Sequence, residues 1–196
     1  LAMFDPNATA VAGAGIFGFP FTKENAKLIL IPIPWEVTTS YGAGTSMGPA
    51  SIFECSRQID VMHPDTGKSY EKGIYWWEEG AAQIKQLNDE FKPIAKKITT
   101  YLEKGEDIPG ELLTQQNKIN MASHKLNKEL YEKTMDLLKT KKVVGVLGGD
   151  HSSPLGAIQA TIDFYKQDVS VLHIDAHADL RSAYQGYKHS HASIMR

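Results

Sequence analysis

Val143 to His191 reads VVGVLGGDHSSPLGAIQATIDFYKQDVSVLHIDAHADLRSAYQGYKHSH, and this stretch decides the fold. Its first run, Val143 to Leu147, is β-branched and without polar alternation, the pattern of a strand buried on both faces of a parallel sheet. Gly148 and Gly149 end the run, let the chain turn, and bring Asp150 and His151 up at the strand end. Pro154 to Tyr165 carries Leu155, Ile158, Ile162 and Phe164 or Tyr165 near helical spacing, with Pro154 suited to a first helical turn. Val169 to Ile174 reads as a second strand and runs into Asp175-Ala176-His177-Ala178-Asp179. The whole is a β-α-β unit with polar residues massed at the ends of its strands.

In open α/β sheets, binding sites form outside the carboxyl ends of the strands. His151, Asp175, His177 and Asp179 would all lie there. In an extended run alternate side chains share a face, so Asp175, His177 and Asp179 are expected to point the same way. Two carboxylates and an imidazole converging with His151 make a mixed nitrogen and oxygen site, which suits Mn, Fe, Co, Ni or Zn better than Ca. Gathered in so apolar a setting, these groups would be costly to desolvate without a cation.

Three blocks, GGDHS, DAHADLRSAY and HSHASIMR, resemble the ureohydrolase superfamily of arginase and agmatinase, the third block most closely the agmatinase branch. The resemblance implies a three-layer α/β/α fold with a mainly parallel sheet, shared in outline with the histone deacetylases. It also implies a binuclear manganese centre, with nickel as an alternative metal, and a metal-bridging hydroxide that cleaves a guanidino group to release urea. Under it His151 and Asp179 bind the first metal, His177 binds the second, and Asp175 bridges both. Asp179 is then placed to carry the released proton to the leaving amine. His191 matches the loop histidine that orients substrate or shuttles protons. His173 reads as an outer-shell partner or a core histidine, and Asp150 as structural. Arg181 and Tyr184 stand where the specificity loop begins, and Arg181 in place of a small amide residue disfavours arginine. Agmatine is the expected substrate, with Arg181 turned into a structural ion pair. Guanidine and formiminoglutamate are the alternative substrates, and a non-catalytic ureohydrolase-like subunit is the rival reading. The family also implies trimers or hexamers.

The family's second acidic motif, a later DxD, does not occur between Asp179 and Arg196. Residues 27–196 are therefore expected to form the N-terminal two-thirds of one ureohydrolase-like domain, its C-terminal part lying beyond this chain and the site needing ligands from it. Residues 1–26, rich in glycine and proline without a period, read as an irregular arm.

The remaining chain supports this picture. Leu28 to Ile33 reads as the first buried strand, ended by Pro32 and Pro34. The loop that follows, WEVTTSYGAGTSMGP from Trp35 to Pro49, matches a stretch that lies near the active-site rim in the resembled family. A helix is expected from Ala50 to about Gln58, with Cys55 on its packed face. His63 belongs to a turn marked by Pro64, Asp65 and Gly67, and Ile74 to Trp77 reads as core or subunit contact. Gln83 to Glu103 places Ile84, Leu87, Phe91, Ile94, Ile98 and Leu102 on one helical stripe, kinked at Pro93, and Glu111 to Thr140 reads as a longer helix.

A net charge of -2 argues against a nucleic-acid surface. The single cysteine, Cys55, permits no internal disulfide and fits a reducing compartment. No stretch approaches a membrane span, and the N-terminus lacks the basic region of a signal peptide, so the expected location is the cytoplasm.

Overall fold

The computed structural model of the chain describes residues 4–6, 8–9, 11, 13–166 and 168–196. Strands β1 (Leu28–Ile33), β2 (Ile74–Trp76) and β3 (Val143–Gly148) form a parallel sheet in the order β2-β1-β3, joined and flanked by helices α1 (Gly48–Cys55), α2 (Ala81–Glu103), α3 (Gly110–Lys139) and α4 (Leu155–Tyr165). Leu28 to Ile33 pair in register with Val143 to Gly148, so β1 and β3 end level with one another.

Along β1, Ile29, Ile31 and Ile33 alternate into the core, where they meet Trp35 and Val37, Phe91 and Ala95 of α2, and Ile119, Leu126, Leu130 and Leu137 of α3. The stripes expected on α2 and α3 thus supply the cover for the sheet. On α2 the buried line is Asn88, Phe91, Ala95, Ile98 and Thr99, while Leu87 and Leu102 at the stripe's edge remain exposed. Pro93 lies inside this continuous helix. Ile16 and Phe19 of the arm are also buried.

Three local expectations are corrected. Pro32 does not end β1 but sits within it. Leu28 and Leu30 direct their backbone groups toward β2, whose last paired residue, Trp76, lies opposite Leu30. Pro32 points the same way as these two and beyond the end of that ladder, so its missing N–H costs no hydrogen bond. Cys55, expected on a packed face, is exposed at the end of α1.

The third correction concerns Val169 to Ile174, which forms no strand and pairs with no neighbour among the described residues. Leu172 and Ile174 are exposed. A gap of about 350 Å³ separates Val169 to Leu172 from Val144 and Val146 of β3, with α4 along its wall. Periodicity marked the segment as an apolar strand. Ladder formation needs a partner edge within about 4.8 Å, and the gap denies it one.

Candidate metal centre

The ends of β1 and β3 are tied together by close backbone approach. The Gly149 N–H donates to the Ile33 carbonyl at 3.0 Å and the Asp150 N–H to the Trp35 carbonyl at 2.8 Å. A Cβ on Gly149 would stand 2.1 Å from the Trp35 carbonyl oxygen. Gly149 is thus required by proximity, not by a left-handed conformation.

Asp150 is buried and acts as a clamp. One oxygen accepts from the Thr38 N–H (3.1 Å) and hydroxyl (2.8 Å), and the other accepts from the Ser152 N–H (2.9 Å) and hydroxyl. Thr38 in turn accepts the His191 N–H at 3.1 Å, linking three chain segments around one threonine.

Beside this clamp, His151 meets the loop that follows residue 174. Its Nδ1 lies 2.7 Å from Asp179 Oδ2 and 3.2 Å from Asp175 Oδ2. His173 stacks on the His151 ring at 5.2 Å, and its Nε2 is 3.9 Å from Asp175 Oδ2. One donor atom from each of His151, His173, Asp175 and Asp179 falls within 4.8 Å of all the others. Three of the four expected ligands are brought together here, and His173 joins them.

His177 is not in this group. Its side chain is 82% exposed, and it is the backbone N–H of His177 that donates to Asp175 Oδ1, at 2.8 Å. Alternation of faces fails from Asp175 to Asp179 because the chain bends there and Asp179 adopts a left-handed φ of 50°. The bond from the His177 N–H, with the charges of His151, His173 and His177, holds the Asp175 carboxyl below its ordinary range against the opposing effect of burial.

The donor chemistry fits a divalent cation. Two carboxylates crowd one imidazole, and the buried Nε2 of His173 has no hydrogen-bond partner. Buried polar atoms rarely stay unpaired, and a cation would satisfy both the carboxylates and this nitrogen.

His151 and Asp179 of this group, with His177, edge an open cleft of about 1100 Å³, bounded on one side by Thr39 to Ala43 and on the other by Leu180, Arg181, Tyr184 and His191. Ser40 Oγ and His191 Nε2 are hydrogen-bonded at 3.1 Å, and the His191 ring meets Tyr184 edge-on at 5.6 Å. Arg181 lies over the Tyr184 ring, 4.8 Å from its centroid. No ion pair involves it among the described residues, so the aromatic face takes the place of the expected ionic partner.

Glu36 is a residue the sequence reading passed over. It is buried, and one of its carboxylate oxygens accepts from the Gly44 N–H (2.8 Å), the Thr45 hydroxyl (2.9 Å) and the Ser46 N–H (3.0 Å). Burial works to raise its pKa, but these bonds and nearby Lys92 outweigh it and leave the value lowered. Glu36 therefore shapes the glycine-rich loop at the cleft rim. An acidic residue directly after an apolar strand and before a glycine-rich loop was the available signal.

The fold and the site now stand beside known proteins. The Arginase family model matches residues 26–196, and the chain belongs to the arginase family. It is 26% identical over 174 residues to an N(1)-aminopropylagmatine ureohydrolase of Synechocystis sp., covering 88% of this chain and 46% of that protein. It is 41% identical over 167 residues to an uncharacterized 32.2 kDa protein of Methanothermus fervidus, covering 85% of this chain and 45% of that protein. The fold is that of the agmatine ureohydrolase of Thermoplasma volcanium, with a TM-score of 0.60, 21% identity, and coverage of 90% of this chain and 47% of that one. The chain spans about half the length of the relatives it matches.

Proposed function

We propose that this chain contributes the first half of a metal-dependent ureohydrolase centre acting on an agmatine-like guanidino compound. The observation that carries the reading is the convergence of His151, His173, Asp175 and Asp179 at the strand-end cleft of an arginase-family chain. The names of curated relatives, N(1)-aminopropylagmatine ureohydrolase among them, support a guanidino substrate with a cationic tail.

His151, Asp175 and Asp179 would hold divalent metal, manganese or nickel. His177 lines the cleft and belongs to the reading as donor to the second ion. When bound, such ions supply a strong nucleophile at neutral pH by lowering the pKa of water. The chain's own residues do the rest. Asp179 accepts a proton at its carboxylate and passes it to the leaving amine. His191, fixed by Ser40 and Thr38, orients the substrate or shuttles protons. Tyr184 forms the specificity wall, and Arg181 packs over its ring, which shares the guanidinium charge. In this reading the protein works in the cytoplasm, in polyamine metabolism, as a trimer or hexamer.

The test is urea release from agmatine, guanidine and arginine, together with loss of formiminoglutamate, in manganese or nickel, by the protein that carries both halves of the centre. Agmatine should be preferred, and Arg181→Ala should leave the ranking unchanged. A ranking that switches in Arg181→Ala would show that Arg181 contacts substrate and would favour formiminoglutamate, whose carboxylate it could bind. Absence of turnover on every compound, with metal bound, would overturn the reading in favour of a non-catalytic subunit.

A further inference from the structure

We infer that helix α3 is a positioning element for the specificity wall, through a stripe formed by Gln116, Asn120 and His124. The inference rests on the reading of residues 181–191 as the substrate side of the cleft.

The wall is built on a tight hairpin. Tyr184 and Tyr187 exchange backbone hydrogen bonds of 3.0 and 2.9 Å, and Gln185 and Gly186 between them have φ values of 52° and 80°. Two consecutive positive φ values are the mark of a type I′ turn. Tyr187 is buried in the core and roots the hairpin, while Tyr184 faces the cleft with Arg181 above it and His191 against its edge.

The turn is held from one side by α3. Gln116 Nε2 donates to the Gln185 carbonyl at 2.9 Å. Asn120 donates through Nδ2 to the Gly186 carbonyl at 3.0 Å and accepts the Lys188 N–H through Oδ1 at 3.1 Å. The His124 ring stacks on His189 at 5.8 Å. These three α3 residues are spaced by four, so they form one row on the helix surface. The two amides satisfy three backbone groups of a turn that has no strand neighbour to do so. Helix α2 adds Thr99, whose hydroxyl donates to Gln185 Oε1 at 3.2 Å. The fit is close, since a Cβ on Gly186 would meet the Gln116 amide nitrogen at 2.4 Å. Through Tyr184 and the short connection to His191, a shift of the turn tip is passed to the groups that face substrate. Gln116 and Asn120 touch no reacting atom.

The experiment compares wild type, Asn120→Leu, Asn120→Asp and, as a control elsewhere on α3, Lys128→Ala. Amide hydrogen exchange, manganese binding and steady-state kinetics with agmatine are measured on each in the protein that carries both halves of the centre. In Asn120→Leu the Lys188 amide should exchange about fivefold faster, the effect of losing one ordinary hydrogen bond. Manganese binding should not change. KM should rise about tenfold with kcat within about threefold, in line with a sub-ångström misplacement of positioning groups. Asn120→Asp keeps the acceptor for the Lys188 N–H and should recover the exchange rate and part of KM, and Lys128→Ala should match wild type. Unchanged exchange in Asn120→Leu overturns the inference, as does faster exchange with unchanged KM. Faster exchange in a protein whose wild type neither binds nor turns over any guanidino compound overturns the functional reading, and with it the role given to the wall.

Discussion

Glu36 shows how one buried carboxylate can organise the short helical turn, Thr45–Met47, that leads a glycine-rich loop into α1. Three donors converge on its Oε2, and its pKa is lowered from the ordinary 4.5. A carboxylate whose folded pKa is depressed adds stability above its unfolded value, and loses it as pH falls through the folded value. The acid limb of the stability curve should therefore begin just below pH 4.5 and flatten in Glu36→Gln, as followed by denaturant midpoint against pH. An unchanged acid limb would show that Glu36 is not the group responsible. Not all of the site was legible at this scale. Asp, His and Asp at strand-like ends pointed to His151, Asp175 and Asp179 by residue type alone. The direction of His177 was not legible, because face alternation holds only while the backbone is extended, and Asp179 breaks it with a left-handed φ. His173 read from sequence as an outer-shell partner or a core histidine, and its place among the donor atoms came from its unpartnered Nε2 and its stacking on His151.

At the scale of elements, apolar period was a sufficient guide to the place of β1, β3, α2, α3 and α4, although β3, expected to be buried on both faces, is only half-buried, with Val143 exposed. Pairing is a different matter, because it depends on what lies beside a strand and not on its own residues. That is why Val169 to Ile174, as apolar as β3, stays unpaired. The close packing of α3 on α4 was also hidden in the sequence and depends on Gly156, where a Cβ would lie 2.1 Å from the Asn127 carbonyl oxygen of α3. Backbone cannot yield as a side-chain tip can, so Gly156→Ala should destabilise the fold by about 1–3 kcal/mol, as overpacking does. Chemical denaturation would show it, and stability equal to wild type would mean that α4 moves freely relative to α3.

For the whole molecule, the sheet's order places β3 at one side with its outer edge open, next to the gap that the 169–172 segment borders. Past the end of this gap the candidate centre joins the two segments, with His151 following β3 and His173, Asp175 and Asp179 on the segment opposite. A cation held by both sides would cross-link them and would bind the folded chain in preference to the unfolded one. At a hundredfold excess over Kd this stabilises the fold by about 2.7 kcal/mol, which for a chain of this size raises Tm by roughly 5–10 °C. Thermal unfolding with and without manganese measures the shift, and the absence of one would show that the folded chain does not hold manganese in preference to the unfolded one. Among the described residues no helix is long and apolar enough to cross a membrane.

The central claim is that the residues gathered at His151 hold a divalent cation, and calorimetric titration with manganese addresses it most directly. Wild type should bind saturably, Asp163→Asn on the exposed face of α4 should bind equally well, and Asp175→Asn should lose more than the roughly 10–100-fold in affinity that removal of an outer-shell partner costs. Equal binding by wild type and Asp175→Asn, or none by wild type, would contradict the account.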